Sequence, residues 1–171
     1  MSKRDTGPAR LALITTTNIE YLQWLADRLA KPDMRSFWED RMRIDPLITF
    51  ASLFANPENA IAFDVGPGDG VLAFLRTMPG YRAFLFGASW GRKAMRCPKL
   101  RRDAAKAAML ALPFEVLEGI TREDNARARH AMTASGMRLR GRIPEGLWYN
   151  GQRTDGVWYE LTRADLNLPP L

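Results

Sequence analysis

Basic residues are concentrated in one short part of this 171-residue chain. The sequence carries 25 basic and 19 acidic residues, a formal net charge of +6. Between positions 76 and 106 Asp103 is the sole acid, against Arg76, Arg82, Arg92, Lys93, Arg96, Lys99, Arg101, Arg102 and Lys106. Such a field favours an anionic partner: a nucleic acid, a phosphate or a nucleotide cofactor. For any one of these residues, a solvated helix face in a basic protein is the alternative interpretation.

The stretch AFDVGPGDGVLAF, residues 62–74, contains a second pattern with chemical meaning. Its Asp64 and G-x-G-x-G are typical of the turn that brings backbone close to the cofactor of S-adenosylmethionine methyltransferases. That function also needs a full helix after the glycines and an acid at the end of the next strand, by the logic of dinucleotide sites. Residues 71–77 are short for such a helix, and no acid occurs from 70 to 102. We therefore predict a hairpin turn between strands Ala60–Val65 and Gly70–Thr77.

Size and composition indicate one globular domain, residues 1–171. The single cysteine, Cys97, excludes an internal disulfide and a multi-cysteine metal site, and the single histidine, His130, excludes a His-rich one. No apolar run approaches the roughly 20 residues of a membrane helix. The N-terminus lacks the apolar segment of a secretory signal. We expect a cytoplasmic protein without membrane association or metal.

Hydrophobic periodicity and turn residues predict a mixed α/β fold with a largely antiparallel sheet and one central crossover. The predicted strands are Arg10–Thr16, Ala60–Val65, Gly70–Thr77, Arg82–Ser89, Phe114–Ile120, Met137–Ile143 and Gly156–Arg163. The predicted helices are Asn18–Ala30, Asp33–Arg43, Pro46–Phe54, Pro98–Ala111 and Arg122–Ser135. Gly136 is expected to end the last helix, and Asn150-Gly151 and Asp155-Gly156 to form turns.

The segment ITREDNARARHAMTASGMRLRGR, residues 120–142, resembles the GNAT superfamily of acyl-CoA-dependent N-acyltransferases. The matching positions are Asn125, Ala128, Met132, Gly136 and Met137, followed near the C-terminus by Tyr159, Leu161 and Arg163. The order of predicted elements is also similar, over about residues 10–166. The resemblance implies a GNAT-like α/β fold, with a largely antiparallel sheet of about six to seven strands flanked by about four helices. It also implies acetyl-CoA, or another acyl-CoA, as cofactor.

The cofactor site implied by the resemblance departs from the family pattern in two ways. The family holds the CoA pyrophosphate in a glycine-rich loop before a helix, whereas WGRKAMRCPKL, residues 90–100, has only one glycine. Cationic side chains would have to replace part of that backbone cradle. The family's usual acid, a tyrosine, is Met132 here, and methionine cannot donate a proton. The implied cofactor-binding residues are Trp90, Gly91, Arg92, Lys93, Arg96, Lys99, Asn125 and Met132.

The implied catalytic residues are Glu115, Glu118 and Ser89. The family often places a carboxylate on the fourth strand, but residues 82–89 contain none, which leaves the two glutamates of the next strand and the serine that ends the fourth. A hydroxyl such as Tyr149 or Tyr159 could protonate the leaving thiolate in place of residue 132. We interpret His130, on a charged helix, as a surface residue.

The resemblance implies acyl transfer, most simply of an acetyl group, to an amine carried by a small molecule or a protein. Three alternatives stay open: a non-catalytic GNAT-like module for binding or assembly, a nucleic-acid-binding protein that uses its basic segment, and a methyltransferase. A homodimer is compatible with the resemblance. Divergent family members occur in phages, so a phage or prophage source is a further expectation.

Overall fold

The computed structural model describes residues 11–14, 19–31, 58, 60–65, 68–91 and 97–171. Its helices are α1 (Ile19–Leu29), α2 (Pro98–Ala111) and α3 (Ala126–Ala134), with a 3₁₀ turn at Ala164–Leu166. Its strands are β1 (Leu11–Leu13), β2 (Ala60–Val65), β3 (Gly70–Met78), β4 (Arg82–Ser89), β5 (Val116–Arg122), β6 (Arg138–Tyr149) and β7 (Gln152–Thr162). The predicted helices Asp33–Arg43 and Pro46–Phe54 lie outside the described residues.

The strands form one seven-stranded sheet in the order β1-β2-β3-β4-β5-β7-β6. All neighbours are antiparallel except β4 and β5, which run parallel. A parallel pair needs a crossover, and α2 supplies it between these two strands. The predicted mixed α/β fold with a largely antiparallel sheet is therefore confirmed.

Each face of the sheet packs against a different helix. On β3, Val71 and Ala73 belong to the buried cluster that includes Leu25 and Leu29 of α1. Leu72 and Phe74 point the other way, into the cluster formed with α2. Because strand side chains alternate, every strand position belongs either to this α1 face or to this α2 face.

The glycine stretch forms the predicted hairpin. β2 and β3 pair antiparallel, from Ala60 opposite Leu75 to Asp64 opposite Val71. Both oxygens of the Asp64 carboxylate accept the Gly68 N–H, at 3.0 and 3.1 Å. Gly68 has a φ of +76°, which favours glycine at this point of the turn. A strand stands where a methyltransferase would need a helix, so that alternative loses its support.

The C-terminal hairpin is longer than predicted, because β6 continues through Pro144 to Tyr149. Asn150 and Gly151 have φ values of +51° and +77°, as a two-residue type I′ turn requires. The predicted turn at Asp155-Gly156 is wrong, since both residues lie inside β7. The Asp155 carboxylate instead accepts the Glu145 N–H at 2.7 Å, where the β6–β7 register shifts. Asp155 thus stabilises a bulge.

Candidate functional site

The two parallel strands separate soon after they meet. β4 and β5 pair at only three positions, ending with Phe84 opposite Glu118. Beyond these positions a gap separates the two strands. On the sides away from this gap, residues 85–89 pair with β3 and residues 119–122 pair with β7. Peptide groups that face the gap are left without strand partners in it. We call this gap the opening, and the Phe84–Glu118 pair its apex.

Charged side chains meet at the apex on the α1 face. Glu118 accepts a hydrogen bond from an Arg82 guanidinium nitrogen. Glu160 accepts one from Arg140 Nε at 2.8 Å and has a second Arg82 nitrogen at 4.0 Å. The Glu118 side chain is only 17% exposed, so it is held at the apex beside a fixed cation. Glu118 is the predicted catalytic carboxylate that the fold brings to the opening.

Met132 lies against β5 on the α2 face, one residue beyond the apex. A Cβ atom built on Gly119 would lie 3.1 Å from Met132 Cε and 3.3 Å from Met137 Cε. A glycine at this position therefore lets both methionines approach the strand. Tyr159, which is buried, lies opposite Gly119 on β7 and on the same face.

The ends of α3 are fixed by a side-chain cap at the start and a glycine at the end. The Asn125 side chain accepts the Ala128 N–H at 3.1 Å, so Asn125 is the N-cap of the helix. At the other end Gly136, with a φ of +91°, allows the Met137 N–H to reach the Met132 carbonyl at 3.1 Å. The predicted helix stop at Gly136 is confirmed. Both caps hold Met132 over the strand.

Ser89 ends β4 at the wide end of the opening. Its Oγ is buried and has no hydrogen-bond partner among the described residues. Its carbonyl accepts a hydrogen bond of 2.9 Å from Arg127 Nη2, on the first turn of α3. The Arg127 side chain therefore spans the opening from α3 to β4, a role with no signal in the sequence.

Trp90 and Gly91 are held by the glycine turn. The N–H groups of both residues donate to the Asp69 carbonyl, at 3.0 and 2.8 Å. The Trp90 indole N–H donates to the Gly68 carbonyl, and the Arg28 guanidinium lies 5.1 Å from the centre of the Trp90 ring. The chain that leaves β4 towards the basic segment is thus fixed at its start.

The remaining predicted residues do not line the opening in the described structure. Arg92, Lys93 and Arg96 lie outside the described residues. Lys99 is exposed in the first turn of α2 and pairs with Asp103 at 2.7 Å. Glu115 precedes β5, at the end of the strand remote from the opening, and its carboxylate accepts the Leu171 N–H at 2.6 Å. His130 is exposed, as predicted.

A buried carboxyl group closes the turn next to Trp90. Burial raises the pKa of Asp64 above its usual value. The Gly68 N–H and the Tyr21 hydroxyl favour the charged form and lower the pKa, but the effect of burial is larger. Burial and the nearby Asp64 in turn raise the pKa of Tyr21.

Within the described ranges no group of three or more His, Cys, Asp or Glu residues could hold a metal ion. No helix in the described part of the chain is long and apolar enough to cross a membrane.

Comparison with known proteins identifies the fold. No family model and no curated protein sequence matches the chain. Spermidine N-acetyltransferase from Vibrio cholerae, solved with CoA and spermine, superposes with a TM-score of 0.75 at 14% identity, over 93% of this chain and 98% of that one. Mycobacterium smegmatis RimJ, solved with CoA-disulfide, gives 0.72 at 17% identity, over 94% and 88%.

A putative acetyltransferase from Acinetobacter baylyi gives a TM-score of 0.69 at 18% identity, over 94% of both chains. Similarities at this level of identity establish architecture rather than chemistry. The chain therefore has the GNAT fold of these acetyltransferases.

Proposed function

We propose that this protein is an acyl-CoA-dependent N-acyltransferase that transfers an acetyl group to an amine. The observation that carries the proposal is the opening, where the described parts of β4 and β5 stop pairing with each other beyond the apex. An extended molecule rich in amide groups, such as the pantetheine arm of CoA, suits such a gap because it can pair with strand backbone. Proteins of similar fold were solved with CoA or CoA-disulfide bound.

The cofactor's phosphates would lie near the start of α2. The first turn of a helix is the positive end of the helix dipole and is therefore a favourable place for phosphate. We propose that Arg92, Lys93, Arg96 and Lys99 supply the cations that replace the missing glycine-rich cradle. Trp90 and Gly91 would lead the chain into this region, while Asn125 and Met132 would border the pantetheine arm.

In the proposed reaction the amine nitrogen loses a proton and attacks the thioester carbonyl carbon. The carbon–sulfur bond then breaks, and the thiolate leaves and takes up a proton. Glu118 at the apex is the proposed carboxylate for the amine, with the Ser89 hydroxyl as a further polar group; Glu115 is too remote for this role in the described structure. An unpaired strand N–H would stabilise the oxyanion.

The leaving thiolate needs no strong acid. A thiol of this kind has a pKa of about 8.5, so loss of a general acid slows the reaction by about 10²–10⁴-fold without preventing it. Tyr159 lies opposite Gly119, against which Met132 packs. We therefore propose the Tyr159 hydroxyl as the donor that compensates for methionine at position 132.

Two features favour a second candidate, a GNAT-like module that binds without catalysis. Glu118 is already paired with Arg82, and Met132 has no proton to donate. A protein that keeps the scaffold but not the chemistry would show this combination. Such a module would bind acyl-CoA and turn over no amine.

Calorimetric titration with acetyl-CoA tests the proposal. The expected result is binding that weakens at least tenfold at low salt when Arg92, Arg96 and Lys99 are all replaced by alanine, because charged hydrogen bonds are lost. The matched control replaces Arg138, Arg142 and Arg153, which removes the same charge from the β6–β7 hairpin without touching the arginines of the apex. Equal losses in both triple variants would mean that the phosphates lie elsewhere. Failure to bind CoA, together with nucleic-acid binding of steep salt dependence, would favour the nucleic-acid alternative.

A further inference from the structure

The α1 face of the opening is lined by apolar side chains. Phe84 and Phe86 stand on this face of β4, with ring centroids 5.0 Å apart. Ile120 of β5 and Trp158 of β7 are cross-strand partners on the opposite side of the opening. All four side chains are at least partly exposed, and Phe86 is 36% exposed. Exposed apolar groups clustered at an opening indicate a surface that binds an apolar partner.

The charges on the same face are balanced. Glu118 is paired with Arg82, and Glu160 is paired with Arg140 and lies near Arg82. Two carboxylates therefore face two guanidinium groups at the apex. Among the described residues of the apex, each carboxylate already has a guanidinium partner. A second or third ammonium group of a polyamine would therefore leave water without gaining an unpaired carboxylate at the apex, which is unfavourable.

A single amine on an apolar group matches both features. The apolar group would cover Phe86 and Trp158, and the amine would lie towards the apex, where Glu118 stands opposite Phe84. A protonated amine also interacts favourably with an aromatic ring, which would hold it before it loses its proton.

We propose that the acceptor is a primary amine attached to an apolar group, preferably an aromatic one, and not a polyamine. This inference rests on the proposed function, since it names the acceptor of the same reaction. It separates this chain from the Vibrio cholerae protein of similar fold, which is a spermidine N-acetyltransferase.

The test compares the binding of 2-phenylethylamine and spermidine by calorimetry, with the protein alone and with saturating CoA. The expected result is that 2-phenylethylamine binds at least tenfold more tightly. Phe86→Ala should weaken its binding about tenfold, the effect of losing part of an aromatic contact. Leu139→Ala is the control, because Leu139 is also exposed but lies on the α2 face of β6.

A second variant keeps the test decisive. Phe86→Glu places a carboxylate without a cationic partner at the opening, and should shift the preference from 2-phenylethylamine towards spermidine. Tighter binding of spermidine to the unaltered protein, or no effect of either Phe86 variant on 2-phenylethylamine binding, would overturn the inference. Amine binding is read without turnover, so a failed CoA titration would reject the proposed function separately.

Discussion

Asp69 occupies the space that a side chain at position 91 would need. A Cβ atom built on Gly91 would lie 2.0 Å from Asp69 Cγ and 2.5 Å from Asp69 Cβ. The Asp69 carbonyl also accepts the N–H groups of Trp90 and Gly91, at 3.0 and 2.8 Å. The turn that resembles a cofactor motif in sequence therefore holds the start of the basic segment in place.

A glycine introduced at position 69 is expected to compensate for the loss of the glycine at position 91. Gly91→Ala should lower the free energy of unfolding by about 1–3 kcal/mol through overpacking, and weaken acetyl-CoA binding. Adding Asp69→Gly removes the Cβ atom that lies in the way, so the double variant should recover most of both losses. Thermal unfolding and calorimetry measure them.

The control is Asp69→Ala combined with Gly91→Ala. It removes the carboxylate but keeps the Cβ atom, which would be 2.5 Å from the new one, so it should not restore stability. Recovery in this control would show that the carboxylate group of Asp69, rather than its Cβ atom, excludes a side chain at position 91.

Turnover is expected to depend on Tyr159 and not on Met132. Met132→Leu conserves volume and should leave kcat within about twofold. Tyr159→Phe removes the proposed proton donor and should lower kcat by about 10²-fold with little change in KM. Met132→Tyr returns a hydroxyl to this position and is expected to raise kcat. Steady-state kinetics with 2-phenylethylamine distinguish the three variants.

A large loss of kcat in Met132→Leu, with acetyl-CoA binding unchanged, would mean that α3 is misassigned to the family's motif. Absence of turnover on a broad panel of amines in all three variants, with acetyl-CoA still bound, would favour the non-catalytic module.

Asp64 should make the protein less stable as pH rises. Burial raises the pKa of Asp64 in the folded state. Its stabilising effect is therefore complete below the unfolded pKa of about 3.9 and is lost as pH rises through the folded pKa. Asp64→Asn keeps an acceptor for the Gly68 N–H without the charge, so it should match the unaltered protein near pH 4 and exceed it at pH 7. Denaturant unfolding at both pH values measures this.

The comparison variant is Asp64→Leu, which leaves the Gly68 N–H without its acceptor and should cost about 1–3 kcal/mol at either pH. An asparagine variant that is less stable than the unaltered protein at pH 7 would contradict the expected direction.

Asp165 is expected to show the opposite pH dependence. Partial burial alone would raise its pKa, but hydrogen bonds from the Thr162 N–H and hydroxyl, with Arg138 and Arg102 nearby, lower the pKa below its usual value. The resulting stability is present above the unfolded pKa of about 3.9 and is lost as pH falls through the folded pKa. Asp165→Asn should therefore destabilise the protein at pH 7 and have a smaller effect at pH 2.5. An equal effect at both pH values would assign the loss to packing instead of charge.

Features set by neighbouring residues were predictable from the sequence. The Gly68 turn, the helix stop at Gly136 and the Asn150-Gly151 turn each depend on a local backbone requirement. Asp155-Gly156 fulfils the same local rule, yet lies inside β7 because the partner strand continues past Pro144. The pairing of Arg82 with Glu118 and the reach of Arg127 to Ser89 depend on where β4 and β5 separate, which no local pattern encodes. The single domain, the homodimer and the phage origin remain predictions.

The outer strand of the sheet bears on how the protein behaves at high concentration. β6 is the last strand in the sheet order, and two register shifts interrupt its pairing with β7. Pro144 lacks an N–H, and Arg138, Arg140 and Arg142 are exposed along the same strand. Irregular edges that carry proline and positive charge resist pairing with strands of other molecules. β6 is thus protected from edge-to-edge aggregation, and these features disfavour a continuous sheet formed by pairing β6 with a second copy of the chain.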